Sequence, residues 1–465
     1  MHVRSSLLRT LCRVAGALPF VLSLAAPPSA RADAWQAFQF NAGHPGFNAS
    51  ETVFTPDNVK SLDIAFKAHF GSDAASEGGA VIDANGQIFV AGFDGKLSAF
   101  DLAGCGAGSC EPLWQGSSDG ADFTSTPAAT ADEVLIASAD HFLHAFPARG
   151  CGHEQCDSLW RGQLSSASID SSVAVAGGFA FVGDFAGRLS VFALGGCGHA
   201  ICQPLWTGLS GPNEQMNSAP AVGNGFVFVQ TTIATETDTT GRLLAFPLAG
   251  CGQSTCTPTW TADLGGPAGI TASPLVLPGK VIVGSERRTG NQLDGGKHLF
   301  AFDAAGCGKS VCKPVQVFGG VSEGVGTTPA TSVDGNTLFV ATNQSIGRNT
   351  VGVLSAFDLA HCGAHCKPIW AGINRNQGAI SPPAVAGDVV FVGKGPASFL
   401  QNDAGVFAFD ARGCGKTHCK ALKFVQAAPR SVYFGAPLAI ADGRITFVST
   451  DFDTLASNVS VLALP

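Results

Sequence analysis

Fourteen cysteines in seven short pairs are the first residues here whose type and spacing could do chemistry: Cys105/Cys110, Cys151/Cys156, Cys197/Cys202, Cys251/Cys256, Cys307/Cys312, Cys362/Cys366 and Cys414/Cys419. Two thiolates so close could hold a metal, cycle as a redox couple or close a disulfide. A zinc site wants a second pair or histidines converging on the first, whereas successive pairs stand 46 to 56 residues apart. Each pair flanks a turn rich in Gly, Ser, Lys or His, and the count is even once Cys12 is set aside, so seven structural disulfides holding outer hairpins are expected. His153, His199, His365 and His418 read as solvated turn residues of these clasps, and no metal site follows from them. Closing a loop of about six residues is worth roughly 2 kcal/mol in the chain-entropy account.

The elements that carry the pairs repeat with them. Each time a Gly-x-Leu-x-Ala-Phe-like strand leads into the first cysteine, and a period of that length fits a four-stranded propeller blade. Residues 127 to 162 show one unit: a strand opening at Pro127, a second at 133 to 137, a third at 142 to 146, the clasp, and a fourth around Trp160. Runs such as Phe226-Val-Phe-Val-Gln230 are apolar on both faces, as strands packed between neighbouring blades must be. Eight such units are counted, the last (436 to 464) without cysteines. Its outer strand is expected from residues 63 to 70, so that the two chain ends share one blade. The reading is an all-β, eight-bladed propeller of four-stranded antiparallel blades over 63–465, preceded by a lead-in at 35–62 with a short helix after Thr55-Pro56. Trp114, Trp160, Trp206, Trp260 and Trp370 share one outer-strand column and are assigned to blade docking, while Trp35 belongs to the lead-in, expected against the rim.

Residues 1–34 read as a signal peptide: Arg4, Arg9 and Arg13, an apolar stretch from Val14 to Ala26, then Ala32-Asp33-Ala34. The stretch is too short for a span of about 20 residues, and no later segment provides one. An exported protein, periplasmic or extracellular, is expected, and a monomer. Removing that segment lowers the 27 basic and 35 acidic residues to 23 and 34. An acidic chain with no Lys/Arg cluster argues against a nucleic-acid partner.

In a propeller the residues just before each innermost strand line one mouth of the axial channel. That column reads Glu77-Gly78, Thr124-Ser125, Ile169-Asp170, Asn217-Ser218, Thr271-Ala272, Gly326-Thr327, Ile380-Ser381 and Phe434-Gly435. Glu77 and Asp170 are its only carboxylates and Asn217 its only amide, so these three could ligate calcium or supply a base, or could accept backbone N–H bonds from a neighbouring blade. Arg375, Arg430 and Tyr433 lie in loops entering innermost strands and could reach the same mouth, Tyr433 reading equally well as a core aromatic. On that face the loops between second and third strands are short in three blades and long at 231–241, 285–296, 343–352, 394–405 and 450–458, which is where a protein or small-molecule ligand is expected.

These residues resemble the quinoprotein alcohol dehydrogenase-like propellers built from pyrroloquinoline-quinone (PQQ) type repeats, over essentially all of 35 to 465. The likeness rests on Asn217-Ser-Ala-Pro-Ala-Val222, Gly95-Lys-Leu-Ser-Ala-Phe-Asp101 and the closing Leu-Trp. The stretch from Trp35 to Leu62, with His44, Gly46 and Asn48, also resembles the lead-in of polyvinyl-alcohol dehydrogenase-like propellers. The resemblance implies either a PQQ- and calcium-dependent dehydrogenase or a non-catalytic scaffold. No adjacent Cys-Cys pair, no haem motif and no tryptophan outside the docking column and lead-in is present to serve a quinone. A binding or scaffold propeller is therefore the first expectation, with the dehydrogenase as the alternative.

Overall fold

The computed structural model describes residues 34–465 except 73–77, 169, 235–237, 266–271, 287, 290–291, 294–297, 322–324, 347–348, 375–380, 396–402, 430, 433–434 and 452. Residues 1–33, and with them nearly all of the expected signal peptide, lie outside that range. Among the described residues no helix is long and apolar enough to cross a membrane.

The chain folds as an eight-bladed β-propeller. In each of the first seven blades four strands follow one another antiparallel, as in the second: Ala128–Ala129, Glu133–Ala137, Phe142–Pro147 and Trp160–Gln163. The second strands are buried along nearly their whole length, as apolar residues on both faces require. The eighth blade holds Ala439–Ala441, Arg444–Asp451 and Ala456–Ala463, and the last of these pairs antiparallel with Asp63–Ser72.

Most blades carry a fifth strand, which a pattern of four could not show. The two residues ending each clasp leave their own blade and pair, in parallel, with the outer strand of the blade before. Gln155–Cys156 of the second clasp lies on Gln115 and Gly116 of the first blade, and Ser109–Cys110 of the first clasp lies on Lys67 and Ala68 of the eighth. The same pairing joins the third clasp to the second blade, the fourth to the third, the sixth to the fifth and the seventh to the sixth. The fifth makes a single bridge, Val311 to Thr261. The clasps thus hold blade to blade, and in doing so cover sheet edges that would otherwise offer free N–H and C=O groups.

All seven expected disulfides are formed: Cys105–Cys110, Cys151–Cys156, Cys197–Cys202, Cys251–Cys256, Cys307–Cys312 and Cys414–Cys419 with Cα–Cα distances of 5.6–5.7 Å, and the shorter Cys362–Cys366 loop with 5.1 Å. They close the turns between third and fourth strands as expected, and only one half of each pair faces outward. The first cysteines are exposed, Cys362 partly so. The second ones, Cys110, Cys156, Cys202, Cys256, Cys312, Cys366 and Cys419, are all buried. Pairing with the preceding blade carries them into its core: Cys202 joins the cluster around Trp160, Cys256 the one around Trp206 and Cys419 the one around Trp370. Each disulfide therefore ties a solvated turn to an apolar seat in another blade.

The tryptophan column is the centre of this contact. Gly150, at φ +72°, passes so close over Trp114 that a Cβ there would lie 2.7 Å from the ring. Gly196, Gly250, Gly306 and Gly413 sit likewise over Trp160, Trp206, Trp260 and Trp370, and Gly104 over Phe66 of the eighth blade. The fifth blade has Gln316 in the column, and the clasp above it is the short one, with His361 in place of the glycine. The Gln316 amide donates to the C=O groups of Cys362 (3.1 Å) and Gly363 (3.2 Å).

The lead-in lies not against the rim but around the axis, because the innermost strands present their open edges there. The C=O groups of Trp35, Gln36, Ala42, Gly43, Pro45 and Gly46 accept, in order, from the N–H groups of Ile82, Ala129, Val222, Val276, Thr331 and Val385, on blades one, two, four, five, six and seven. Phe47–Asn48 then pairs parallel with Val385 and Ala386, and Asn48 Nδ2 donates to the C=O of Ile440 on the eighth. His44 is fully enclosed beside Pro274, whose C=O lies 2.9 Å from Nδ1, and burial lowers its pKa to about 4. A 3-10 turn, Asn58–Ser61, ends the segment, with Thr55 and Asn58 side chains each bonding the other's backbone N–H.

Candidate functional site

The lead-in meets the innermost strands near their ends, so it lies toward one face of the ring, and the loops between second and third strands stand on the other. At the loop-side mouth the register is set by the innermost strands: Ala128, Ala174 and Ala221 each pair with the third residue of the second strand, Leu135, Phe181 and Phe228. Four residues earlier stand Thr124, Asp170 and Asn217. The expected pairs Ile169-Asp170 and Phe434-Gly435 therefore move by one, to Asp170-Ser171 and Gly435-Ala436, because the third blade lacks the proline used to align the others and the eighth carries its proline, Pro437, one place earlier relative to the strand register. The shift brings Asp170 into the same rank as Thr124 and Asn217, on three successive blades.

Asp170 adopts φ +71°, a left-handed conformation that Asp tolerates better than most residues. Its N–H donates to Thr124 Oγ1 at 3.1 Å, and Asn217 Oδ1 accepts from Thr232 Oγ1 at 3.2 Å. Glu77, Arg375, Arg430 and Tyr433 lie outside the described residues. A carboxylate that the column did not contain reaches the same rank: Glu286, from the loop of the fifth blade, fills the space a side chain at Gly326 would take. Only the missing Cβ at Gly326 hinted at it.

Beneath this rank the hydroxyls bind blade to blade. Gly79 N–H donates to Thr126 Oγ1 (2.9 Å), Thr126 N–H to Ser172 Oγ (3.1 Å), Ala219 N–H to Ser273 Oγ (3.0 Å) and Ser273 N–H to Thr328 Oγ1 (2.8 Å). One place earlier, Ser171 and Ser218 each accept the N–H at the end of their own second strand, from Gly183 and Gln230. Most of the small polar residues described at the mouth thus bond backbone groups of their own or the neighbouring blade.

Carboxylates in the short loops are likewise structural. Asp94 and Asp184 accept backbone N–H bonds within their own turns, and burial raises both pKa values against those bonds. For Asp140 burial acts upward too, but the 2.8 Å bond to buried His144 and the turn N–H of Phe142 together bring its pKa below the ordinary carboxylate value.

The long loops build outward. Thr232–Ala234 and Asp238–Thr240 from the fourth blade pair with Glu214–Gln215 on one side and with Arg288–Thr289 of the fifth blade on the other, and Gln292–Leu293 completes a five-stranded sheet. Glu214 anchors it through an ion pair with Arg242. In the sixth blade the strands themselves lengthen into a hairpin, Thr337–Ile346 with Asn349–Asp358. The result is a raised wall along blades four to six beside the rank holding Asn217 and Glu286.

A calcium–quinone centre would need about six to eight oxygen ligands on the metal. The described donors do not assemble one: along the rank Asp170 and the Glu286 carboxylate stand three blades apart, and the Asn217 oxygen between them already accepts from Thr232. Among the described residues no group of three or more His, Cys, Asp or Glu is placed to hold a metal.

No family model matches the chain, and no curated protein matches its sequence. Solved structures do match in fold. BamB from Moraxella catarrhalis aligns with TM-score 0.53 at 14% identity, over 86% of this chain and 97% of its own. The quinohemoprotein alcohol dehydrogenase from Comamonas testosteroni aligns with TM-score 0.60 at 10% identity, and ADHIIG from Pseudomonas putida HK5 with 0.58 at 12%, each over 93% of this chain and 80% of its own. In fold, then, the chain is an eight-bladed β-propeller, similar to BamB and to the quinohemoprotein alcohol dehydrogenases alike.

Proposed function

We propose that this protein is a non-catalytic binding or scaffold propeller that works outside the cytoplasm as a monomer, gripping a protein or small-molecule ligand on its long-loop face. Seven disulfides suit an oxidising, extracytoplasmic compartment. The observation that carries the reading is the five-stranded sheet raised by the loops of the fourth and fifth blades, since a propeller spends backbone pairing on loops where a surface has to keep its shape. Most of the described hydroxyls of the mouth beside it are bound to backbone groups of the blades, which favours recognition over turnover. Likeness to BamB and to the dehydrogenases is equal in kind, because both rest on fold.

Equilibrium dialysis of the mature protein against micromolar PQQ with calcium chloride tests this reading. The expected result is no quinone retained above the level of a serum-albumin control. Retained quinone with reduction of an electron-accepting dye by primary alcohols would overturn it in favour of the dehydrogenase.

A further inference from the structure

The clasps cover the outer strands of blades one to six and of the eighth blade. Among the described residues, the outer strand of the seventh, Lys423–Pro429, has no strand along its outer side. The next blade supplies none, because its third and fourth strands are residues 456–463 and 63–72 and no clasp joins them. We propose that this edge, at Phe424 and Gln426 beside Lys423, is a docking site for an extended acidic segment of a partner protein, added in parallel as a fifth strand. It lies apart from the long-loop face and stands whether or not that face binds a ligand.

The backbone chemistry of such docking is displayed on the other blades. The residue after the column donates its N–H to the clasp, as Gln115 does to the C=O of Glu154, Arg161 to Ala200 and Ala371 to Thr417. It accepts from the second cysteine, as Thr261 does from Cys312, and the residue two further on donates again, as Gly319 does to Cys366. Lys423 pairs with Ala408 as Trp114 pairs with Ala99. Phe424 and Gln426 therefore hold these two outward-facing positions.

The column residue also follows the chemistry of what lies on it. Aromatic rings sit under glycines, and Gln316 sits under the carbonyls of the clasp that lacks that glycine. Lys423 in this column calls for acceptors, best supplied by a carboxylate. The sequence around Lys423 agrees: from 411 to 441 there is no Asp or Glu, in a chain of net charge −8. On the same blade the Asp388 and Asp410 carboxylates pair with Arg412. Lysine also guards edge strands against chance pairing, and the experiment separates the two roles.

The probes are two oxidised peptides of this protein's own clasps, acidic 150–157 and basic 413–420, titrated into the mature protein by fluorescence anisotropy with hydrogen exchange read at Phe424 and Gln426. The acidic peptide is expected to bind saturably, protect both amides and weaken with salt, and the basic one to bind at least roughly tenfold more weakly. Lys423→Glu should reverse that preference. Gln426→Pro should abolish binding, while Gln426→Ala leaves it intact. Should the proline variant fail to fold, the charge reversal carries the test. Absence of amide protection, or equal binding of both peptides, overturns the proposal. So does a dimer in sedimentation of the free protein that Lys423→Glu dissolves, since the occupant would then be a second copy.

Discussion

A single atom decides each clasp contact. At Gly150 the backbone has φ +72° and the Trp114 ring directly beneath, whereas Gly152, at φ +81°, has nothing within 4 Å of a would-be Cβ. Both glycine-to-alanine changes incur the left-handed penalty of roughly 1–2 kcal/mol, and only Gly150→Ala adds a clash with the ring. Urea midpoints should fall for both variants and clearly further for Gly150→Ala. His44 offers a second test. Burial takes its pKa from 6.5 to about 4, so the unfolded chain binds the proton first as the solution is acidified. Its contribution is fully present above pH 6.5 and is lost as pH falls toward 4, by up to about 3 kcal/mol. Unfolding free energies measured across that window should lose this slope in His44→Asn, which still tolerates the positive φ of 58°. The identity of these residues was plain in the sequence. That Gly150 belongs with Trp114, 36 positions away and in another blade, was not, because nothing local distinguishes it from Gly152.

Among elements, the clasp is the unit whose meaning changed most. Its spacing identified a disulfide-closed turn and set the blade period, since two cysteines five apart can reach each other with little help from the rest of the fold. What it serves is an edge in the preceding blade, and the burial of its second cysteine follows from that. In Cys151→Ser/Cys156→Ser the consequence should accordingly appear in blade one: hydrogen exchange at the Gln115 and Ser117 amides should quicken more than at Arg161, which the third clasp still covers. The mouth tells the same story in reverse. The carboxylate and amide of its column were legible as Asp170 and Asn217, but their common rank was hidden by a one-residue slip. The serine and threonine belt under them was hidden by its ordinariness, since a hydroxyl before a proline-like opening signals nothing until the neighbouring N–H is placed against it.

For the whole molecule, the lead-in is the part that touches nearly every blade. Six of its C=O groups accept from innermost strands whose inner sides would otherwise be unpaired, and each buried bond of this kind is worth about 1 kcal/mol net. Deleting residues 35–48 should therefore make the amides of Ile82, Val222, Val276, Thr331 and Val385 exchange faster together, and should lower the melting temperature while the seven disulfides remain formed.

Fold class, blade number and disulfide partners were determined by the sequence itself, because each depends on a period and on contacts a few residues long: alternating turns, apolar second strands, cysteines near enough to close. The tertiary structure alone decided which blade each clasp covers, that residues 35–48 circle the axis, that loops of the fourth and fifth blades join in one sheet, and that among the described residues no strand pairs with the outer edge at Lys423. Those are relations between backbone groups 40 to 400 residues apart. A backbone N–H is the same whatever side chain it carries, so its partner is chosen by geometry and leaves little trace in residue identity.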